Sequence, residues 1–137
     1  MSALLLSSCT APKRDEGTAT QDNPAARLQA IPEANPELYR NMKDMRKWRN
    51  PYLIIRSDGV ALFDVDNNEE RTLKPEEVLK ALADLPPSAW PYGRVVAVQD
   101  PGALGFEPEK VAIRRSKGIV AGSLEELHVV INWVPSS

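Results

Sequence analysis

The stretch Tyr52-Leu53-Ile54-Ile55-Arg56, Ser57-Asp58-Gly59, Val60-Ala61-Leu62-Phe63 constrains the fold more than any other part of the chain. Two β-rich runs are joined by Asp-Gly, and glycine supplies the positive φ that tight hairpin turns require. An antiparallel hairpin is therefore expected, with the polar stretch Asp64 to Arg71 following as a loop that extends the second strand at most.

The segments after the hairpin alternate in character. Thr72 to Asp84 has the pattern of a helix. Thr72 is placed to cap it, Pro75 falls in the first turn, and Glu76 and Glu77 suit the positive end of the helix dipole. Val78, Leu79, Leu82 and Leu85 form its apolar stripe, and Pro86-Pro87 stops it. Val95-Val96-Ala97-Val98 is a nearly continuous apolar run, as in a strand covered on both faces. Residues 108–126 have two readings. One is a long helix in which Gly118 and Gly122 each cost about 1 kcal/mol relative to alanine but allow close approach to the sheet. The other is a strand over Val111 to Arg115 followed by a short helix opened by the capping box Ser123-Leu124-Glu125-Glu126. The long helix is the favoured reading. His128 to Val134 reads as a final strand ended by Pro135.

Upstream of the hairpin, Asn35-Pro36-Glu37 has the form of a helix start, with an N-cap followed by proline at the first position. Leu38, Met42 and Met45 recur at helical spacing. Arg40, Lys43, Arg46, Lys47 and Arg49 fill the other faces against Glu37 and Asp44. A basic amphipathic helix over 36–50 is expected, ended by Asn50-Pro51. The fold class that follows is α/β (α+β): a small layered β-β-α-β-α-β domain over 51–137, preceded by this helix.

The N-terminus carries a different kind of signal. Leu4-Leu5-Leu6-Ser7-Ser8-Cys9 ends on the only cysteine of the chain. An aliphatic residue, two small residues and a cysteine form the lipobox pattern of bacterial lipoproteins. There the thiol is acylated and the preceding peptide removed. No basic residue precedes Cys9 and the apolar part is short, unlike a full secretory signal. Residues 1–9 are read as a remnant of a signal peptide with its lipobox. Residues 10–35, rich in Ala, Pro, Thr, Gln, Asn and charge, are read as a disordered linker that cannot bury enough surface to offset its ordering entropy. The expectation is a lipid-anchored cell-envelope protein facing the periplasm. Thr10 after the cysteine resembles the outer-membrane sorting of proteobacterial lipoproteins.

Charge and cysteine content narrow the chemistry. The chain has 17 basic and 19 acidic residues, a net charge of −2, which argues against bulk nucleic-acid binding. A single cysteine excludes an internal disulfide and any zinc site built from several cysteines.

The segments Leu53-Ile54-Ile55-Arg56-Ser57-Asp58-Gly59-Val60, Pro75-Glu76-Glu77-Val78-Leu79-Lys80-Ala81-Leu82 and Pro91-Tyr92-Gly93-Arg94-Val95-Val96-Ala97-Val98 together resemble the periplasmic domain of the ExbD/TolR biopolymer-transport family. The resemblance spans Tyr52 to Val134. In that family the third segment opens the second helix, whereas here it reads as a strand. Family members also carry a transmembrane helix with a membrane-embedded aspartate, which has no counterpart in this sequence. The resemblance therefore implies a periplasmic binding role towards a protein partner or peptidoglycan, without proton-channel work.

Few residues suggest chemistry of their own. Asp64, Asp66, Asn68, Glu69 and Glu70 form an acidic cluster with alternating oxygens, a weak calcium site. The EF-hand pattern fails, since Glu69 stands where glycine is needed and Pro75 where the bidentate glutamate belongs. His128, the only histidine, is the one side chain suited by default to acid–base work near neutral pH. Ser116 and Ser123 would be its nucleophile partners, but no catalytic motif surrounds either. Trp48, Trp90 and Trp133 read as core or rim residues, and Gly102 and Gly105 as turn glycines. No cofactor is expected. The leading expectation is a non-enzymatic binding domain, with Cys9 as the lipidation site and the five basic residues of 36–50 as an anionic-surface contact. Self-association through a sheet edge is a further expectation. The alternative is a small envelope hydrolase using His128 and the nearby acidic residues.

Overall fold

The computed structural model describes residues 23–64, 67–102 and 105–135. Mixed helices and a five-stranded mixed sheet give an α+β fold. The strands are β1 (Tyr52–Arg56), β2 (Gly59–Asp64), β3 (Glu69–Leu73), β4 (Val95–Asp100) and β5 (Val130–Pro135). Their spatial order is β3-β2-β1-β4-β5. β1 pairs antiparallel with β2 in the register Tyr52↔Phe63 to Arg56↔Gly59, the hairpin expected from Asp58-Gly59. Gly59 has a φ of +148°, and a Cβ there would lie 2.6 Å from the Leu73 carbonyl oxygen. β4 and β5 are parallel to β1 and to each other.

The strand β3 replaces the loop expected over Asp64 to Arg71. Its five residues pair antiparallel with β2, Asp64↔Glu69 through Val60↔Leu73. The charges that made it read as loop are compatible with an edge strand, where one side of the backbone ladder stays open to solvent.

One face of the sheet carries the helices. They are α1 (Pro24–Gln29), α2 (Val78–Ala83) and α3 (Glu107–Glu126). Leu53, Ile55, Val60, Val96 and Val98 point to this face, where Leu28, Val78, Leu82, Ile113, Val120 and Leu124 meet them. α2 begins later than expected. Thr72 lies in β3, and a 3-10 turn over Pro75–Glu77 leads into the helix, its entry fixed by the Lys74 N–H donating to Glu77 Oε1 at 2.8 Å. α3 is one continuous helix, so the long-helix reading of 108–126 holds.

The role expected of its glycines does not hold. A Cβ at Gly118 or Gly122 would meet nothing within 4 Å. Both face outward, while Ile113, Ser116, Val120 and Leu124 are the buried residues of the helix. Alanine at both positions is expected to stabilise the fold by about 2 kcal/mol, raising the melting temperature by roughly 8 °C. A melting temperature that stays level or falls would mean that this helix face is occupied in solution.

The basic helix expected over 36–50 is not formed. Asn35 does cap a start, its Oδ1 accepting from the Glu37 N–H at 3.3 Å, but only a 3-10 turn over Pro36–Leu38 follows. A second 3-10 turn, Met45–Lys47, is capped by Asp44, whose Oδ1 accepts from the Arg46 N–H at 3.0 Å. Between the turns the chain runs as an irregular strap across the other face of the sheet. The apolar spacing of Leu38, Met42 and Met45 is therefore only partly a burial pattern: Met42 and Met45 pack on the sheet while Leu38 is exposed.

Trp48 anchors the strap. It is fully buried, and its Nε1–H donates to the Pro51 carbonyl at 3.0 Å. Its ring meets Tyr39 and Tyr92 edge-on, with centroids 5.5 and 5.1 Å away. Tyr52, Val95 and Ala97 complete this second cluster. β4 is thus buried on both faces, as its apolar run implied. Buried Asn50 stitches strap to sheet. Its Nδ2 donates to the carbonyls of Gly93 and Val95, both at 2.8 Å, and its Oδ1 accepts from the Tyr92 N–H at 2.8 Å.

The linker reading of 10–35 is corrected in its second half. Asn23 caps α1 through the Ala25 N–H at 2.8 Å, Pro24 takes the first position, and Leu28 is fully buried. Residues 10–22 lie outside the described residues.

Candidate functional site

Two surface regions bring together residues singled out by the sequence. The first is the strap. Arg40, Lys43, Arg46, Lys47 and Arg49 are all exposed. With Glu37 and Asp44 they give the strap a net charge of +3 in a chain of −2, so the rest of the molecule carries −5. Arg46 is held by Asp44 in a two-bond pair, Nε to Oδ1 at 3.0 Å and Nη2 to Oδ2 at 3.1 Å. Those bonds hold the Asp44 carboxyl below its usual pKa. Arg49 Nη1 donates to the Arg46 carbonyl at 2.9 Å. Among the described residues, no ion pair or hydrogen bond engages the side chains of Arg40, Lys43 or Lys47.

The strap leaves part of the sheet face uncovered. A groove of about 460 Å³ runs beside Met45, lined by Met42, Lys43, Tyr52, Gln99, Asn132 and Val134 among others. A second groove of about 500 Å³ opens on the other side of Met45, over Ile54 and Phe63. Tyr52 and Gln99 line both, and the Tyr52 hydroxyl bonds to Gln99 Oε1 at 3.1 Å. Partial burial raises the Tyr52 pKa, so this phenol stays protonated at neutral pH.

The second region is the end of the sheet where β2 turns into β3. A cleft of about 560 Å³ is lined there by apolar Pro51, Leu62, Leu85 and Pro86 and by charged Arg49, Asp64, Glu69 and Arg71. Asp64 caps the turn, accepting from the Asn67 N–H at 3.3 Å and from Asn67 Nδ2 at 2.7 Å. Glu70 is engaged by Arg56 through two bonds of 2.6 and 2.8 Å, which lower its pKa. Asn68 adopts a φ of 53°, and Asp66 lies outside the described residues. Among the described residues, no group of three His, Cys, Asp or Glu side chains is placed to hold a metal ion.

His128 is exposed and adopts a φ of 58° between α3 and β5, so the last strand starts at Val130 instead of His128. It precedes β5 at one edge of the sheet, while the acidic turn joins β2 to β3 at the other. Three strand spacings between β2 and β5 come to about 14 Å. The structure therefore does not bring the histidine and those carboxylates together. Ser116 is buried on the sheet-facing stripe of α3. Trp48 and Trp90 are core residues, and Trp133 is a rim residue, 43% exposed. Gly102 and Gly105 have φ values of 82° and 113°, in keeping with turn glycines.

One constellation was not visible in the sequence. Lys117 on α3 reaches Asp100 at the end of β4, Nζ to Oδ2 at 2.6 Å, and lies 5.0 Å from the ring centroid of Trp133. The Lys117 bond, and after it the Gly102 N–H, lower the Asp100 pKa. No local pattern links three residues so far apart; only the parallel pairing of β4 with β5 unites them.

Cys9 lies outside the described residues. Among the described residues no helix is long and apolar enough to cross a membrane. Comparison with known protein families, curated protein sequences and solved structures finds no match.

Proposed function

We propose that this chain is a lipid-anchored, non-enzymatic domain of the cell envelope that faces the periplasm and binds a protein partner or the cell wall. The domain is ExbD/TolR-like in fold, and the reading carries over binding and not proton-channel work. The observation that carries this reading is the sequence Leu4-Leu5-Leu6-Ser7-Ser8-Cys9, followed by a polar stretch of the kind a tethered domain needs. The strap supports it. Its excess of exposed cations lies apart from the acidic remainder of the molecule, a distribution suited to anionic headgroups or the acidic groups of a cell wall. The hydrolase alternative draws on His128 and the acidic turn, and their placement at opposite edges of the sheet weighs against a joint role.

The test is the mass and membrane fractionation of the full-length native protein beside Cys9→Ala. The expected result is a mass for a diacylglyceryl-modified N-terminus at Cys9, with membrane association lost in the variant. Unmodified, soluble protein in both cases would remove the anchor and reopen the alternative.

A further inference from the structure

The two edges of the sheet differ in how they are protected. β3 presents Glu69, Glu70 and Arg71 in a strand of five residues. Such charges discourage pairing with another chain. β5 is Val130-Ile131-Asn132-Trp133-Val134-Pro135, with no charge in six residues. Val130 and Trp133 are large apolar residues left 45% and 43% exposed. The Val130 N–H donates inward to the Arg94 carbonyl at 2.9 Å. Backbone groups alternate in direction along a strand, so Ile131 and Trp133 direct their N–H and C=O groups away from β4. Pro135 adds an outward carbonyl and no donor. Among the described residues no strand pairs with this edge, which is a short, uncharged ladder ending at a proline.

The surroundings of this edge are specific. On the strap side the β5 residues Asn132 and Val134 line the groove floored by Tyr52 and Gln99, with Met42 and Met45 beside it and the Lys43 ammonium at its rim. Among the described residues nothing neutralises Lys43. On the helix side Trp133 is backed by Lys117, whose charge Asp100 already meets. A strand laid along β5 would send alternate side chains to these two sides. On the strap side it would meet apolar surface and an uncompensated cation.

We propose that the β5 edge binds an extended segment of a partner protein whose strap-side residues, two apart in sequence, are apolar with one carboxylate among them. It adds as a sixth strand, places apolar side chains in the groove beside Met45 and sets a carboxylate against Lys43. A second copy of this chain fits less well. Antiparallel two-fold pairing of β5 with itself puts both Lys43 side chains on the same face of the joined sheet, and no carboxylate lines the groove beside either. The inference deepens the partner-binding reading above and depends on it only for the compartment in which the partner is met.

The probe is a phage-displayed library of random peptides selected on the full-length protein, followed by fluorescence polarisation with the enriched peptide made synthetically. The expected consensus carries apolar residues and one acidic residue at positions two apart, on the face that meets the strap. Ile131→Pro removes an outward N–H without an internal hydrogen bond, and is expected to weaken binding about tenfold. Lys43→Glu is expected to weaken it about fivefold, and to do so less for a peptide with glutamine in place of that acid. Should Ile131→Pro impair folding, N-methylation of alternate peptide amides tests the same ladder on the unaltered protein. One methylation register is expected to abolish binding and the other to leave it. The proposal is overturned by a basic or proline-rich consensus, by no enrichment, by binding indifferent to both methylation registers, or by a dimer that Ile131→Pro dissolves. Peptide binding without acylation of Cys9 would overturn the anchor and leave this site standing. Acylation without peptide binding would do the reverse.

Discussion

Trp48→Ala is expected to lose about 4 kcal/mol of stability, a large share of the 5–15 kcal/mol that holds an ordinary domain together. The indole is fully buried. Three losses combine on its removal. The strap gives up its largest apolar contact with the sheet, the Pro51 carbonyl loses its 3.0 Å donor, and Tyr39 and Tyr92 lose the ring between them. Aromatic pairs of this kind contribute about 0.5–1.5 kcal/mol each beyond the area they bury. Trp48→Phe keeps ring contacts and drops only the hydrogen bond and some volume, so it is expected to cost clearly less. Urea unfolding followed by circular dichroism checks both. A loss below about 1 kcal/mol for Trp48→Ala would mean that the strap docks without its anchor, and that the two grooves beside Met45 belong to a loosely held segment.

Leu28→Ala is expected to cost about 3 kcal/mol. This leucine lies before the part of the sequence that looks globular, yet it is fully buried against the helical face of the sheet. α1 has six residues, too few for a helix to persist alone in water. Its order therefore depends on Leu28 and on contact with α2. The Arg27–Asp84 pair at 3.2 Å is exposed and adds little. The denaturation midpoint should fall with the slope almost unchanged, since the same surface is exposed on unfolding. A midpoint unaltered by the substitution would return residues 23–30 to the linker.

These two positions mark where the sequence was hardest to read. The hairpin was legible because Asp58-Gly59 sets both turn and register, and β4 because an unbroken apolar run requires cover on both faces. α3 was legible in spite of its glycines, since Ile113, Ser116, Val120 and Leu124 keep one buried stripe. The strap was misread because the local signal for a helix start, Asn35 before Pro36, equally caps a single 3-10 turn. What prevents propagation is tertiary: Trp48 is fixed by Pro51, and Asn50 is held by residues 92–95. β3 was missed because solvated charges mark a loop and an edge strand alike. α1 was missed because one buried leucine is too little for a periodic signal. Of the candidate site residues, the strap cations were found by composition, since surface charge needs no fold. The β5 edge required the strand order, and the Lys117–Asp100–Trp133 contact required the parallel register.

The stitching of the strap also decides how the molecule bears load. A pull on residue 23 reaches α1 first, then the strap, and only then β1. The strap hangs on separate points met one after another: the Arg94 N–H on the Pro32 carbonyl, the Asn35 N–H on the Tyr92 carbonyl, and finally Asn50. Such points give way singly, as a seam unpicks, and the buried Trp48 is the firmest of them. β1 is different. It lies between β2 and β4, and a pull along its axis strains both ladders at once. Under tension from its N-terminal side the domain would therefore lengthen in successive steps, releasing residues 23–50 with Leu28 and Trp48 as the points that hold, before the load reaches an intact sheet.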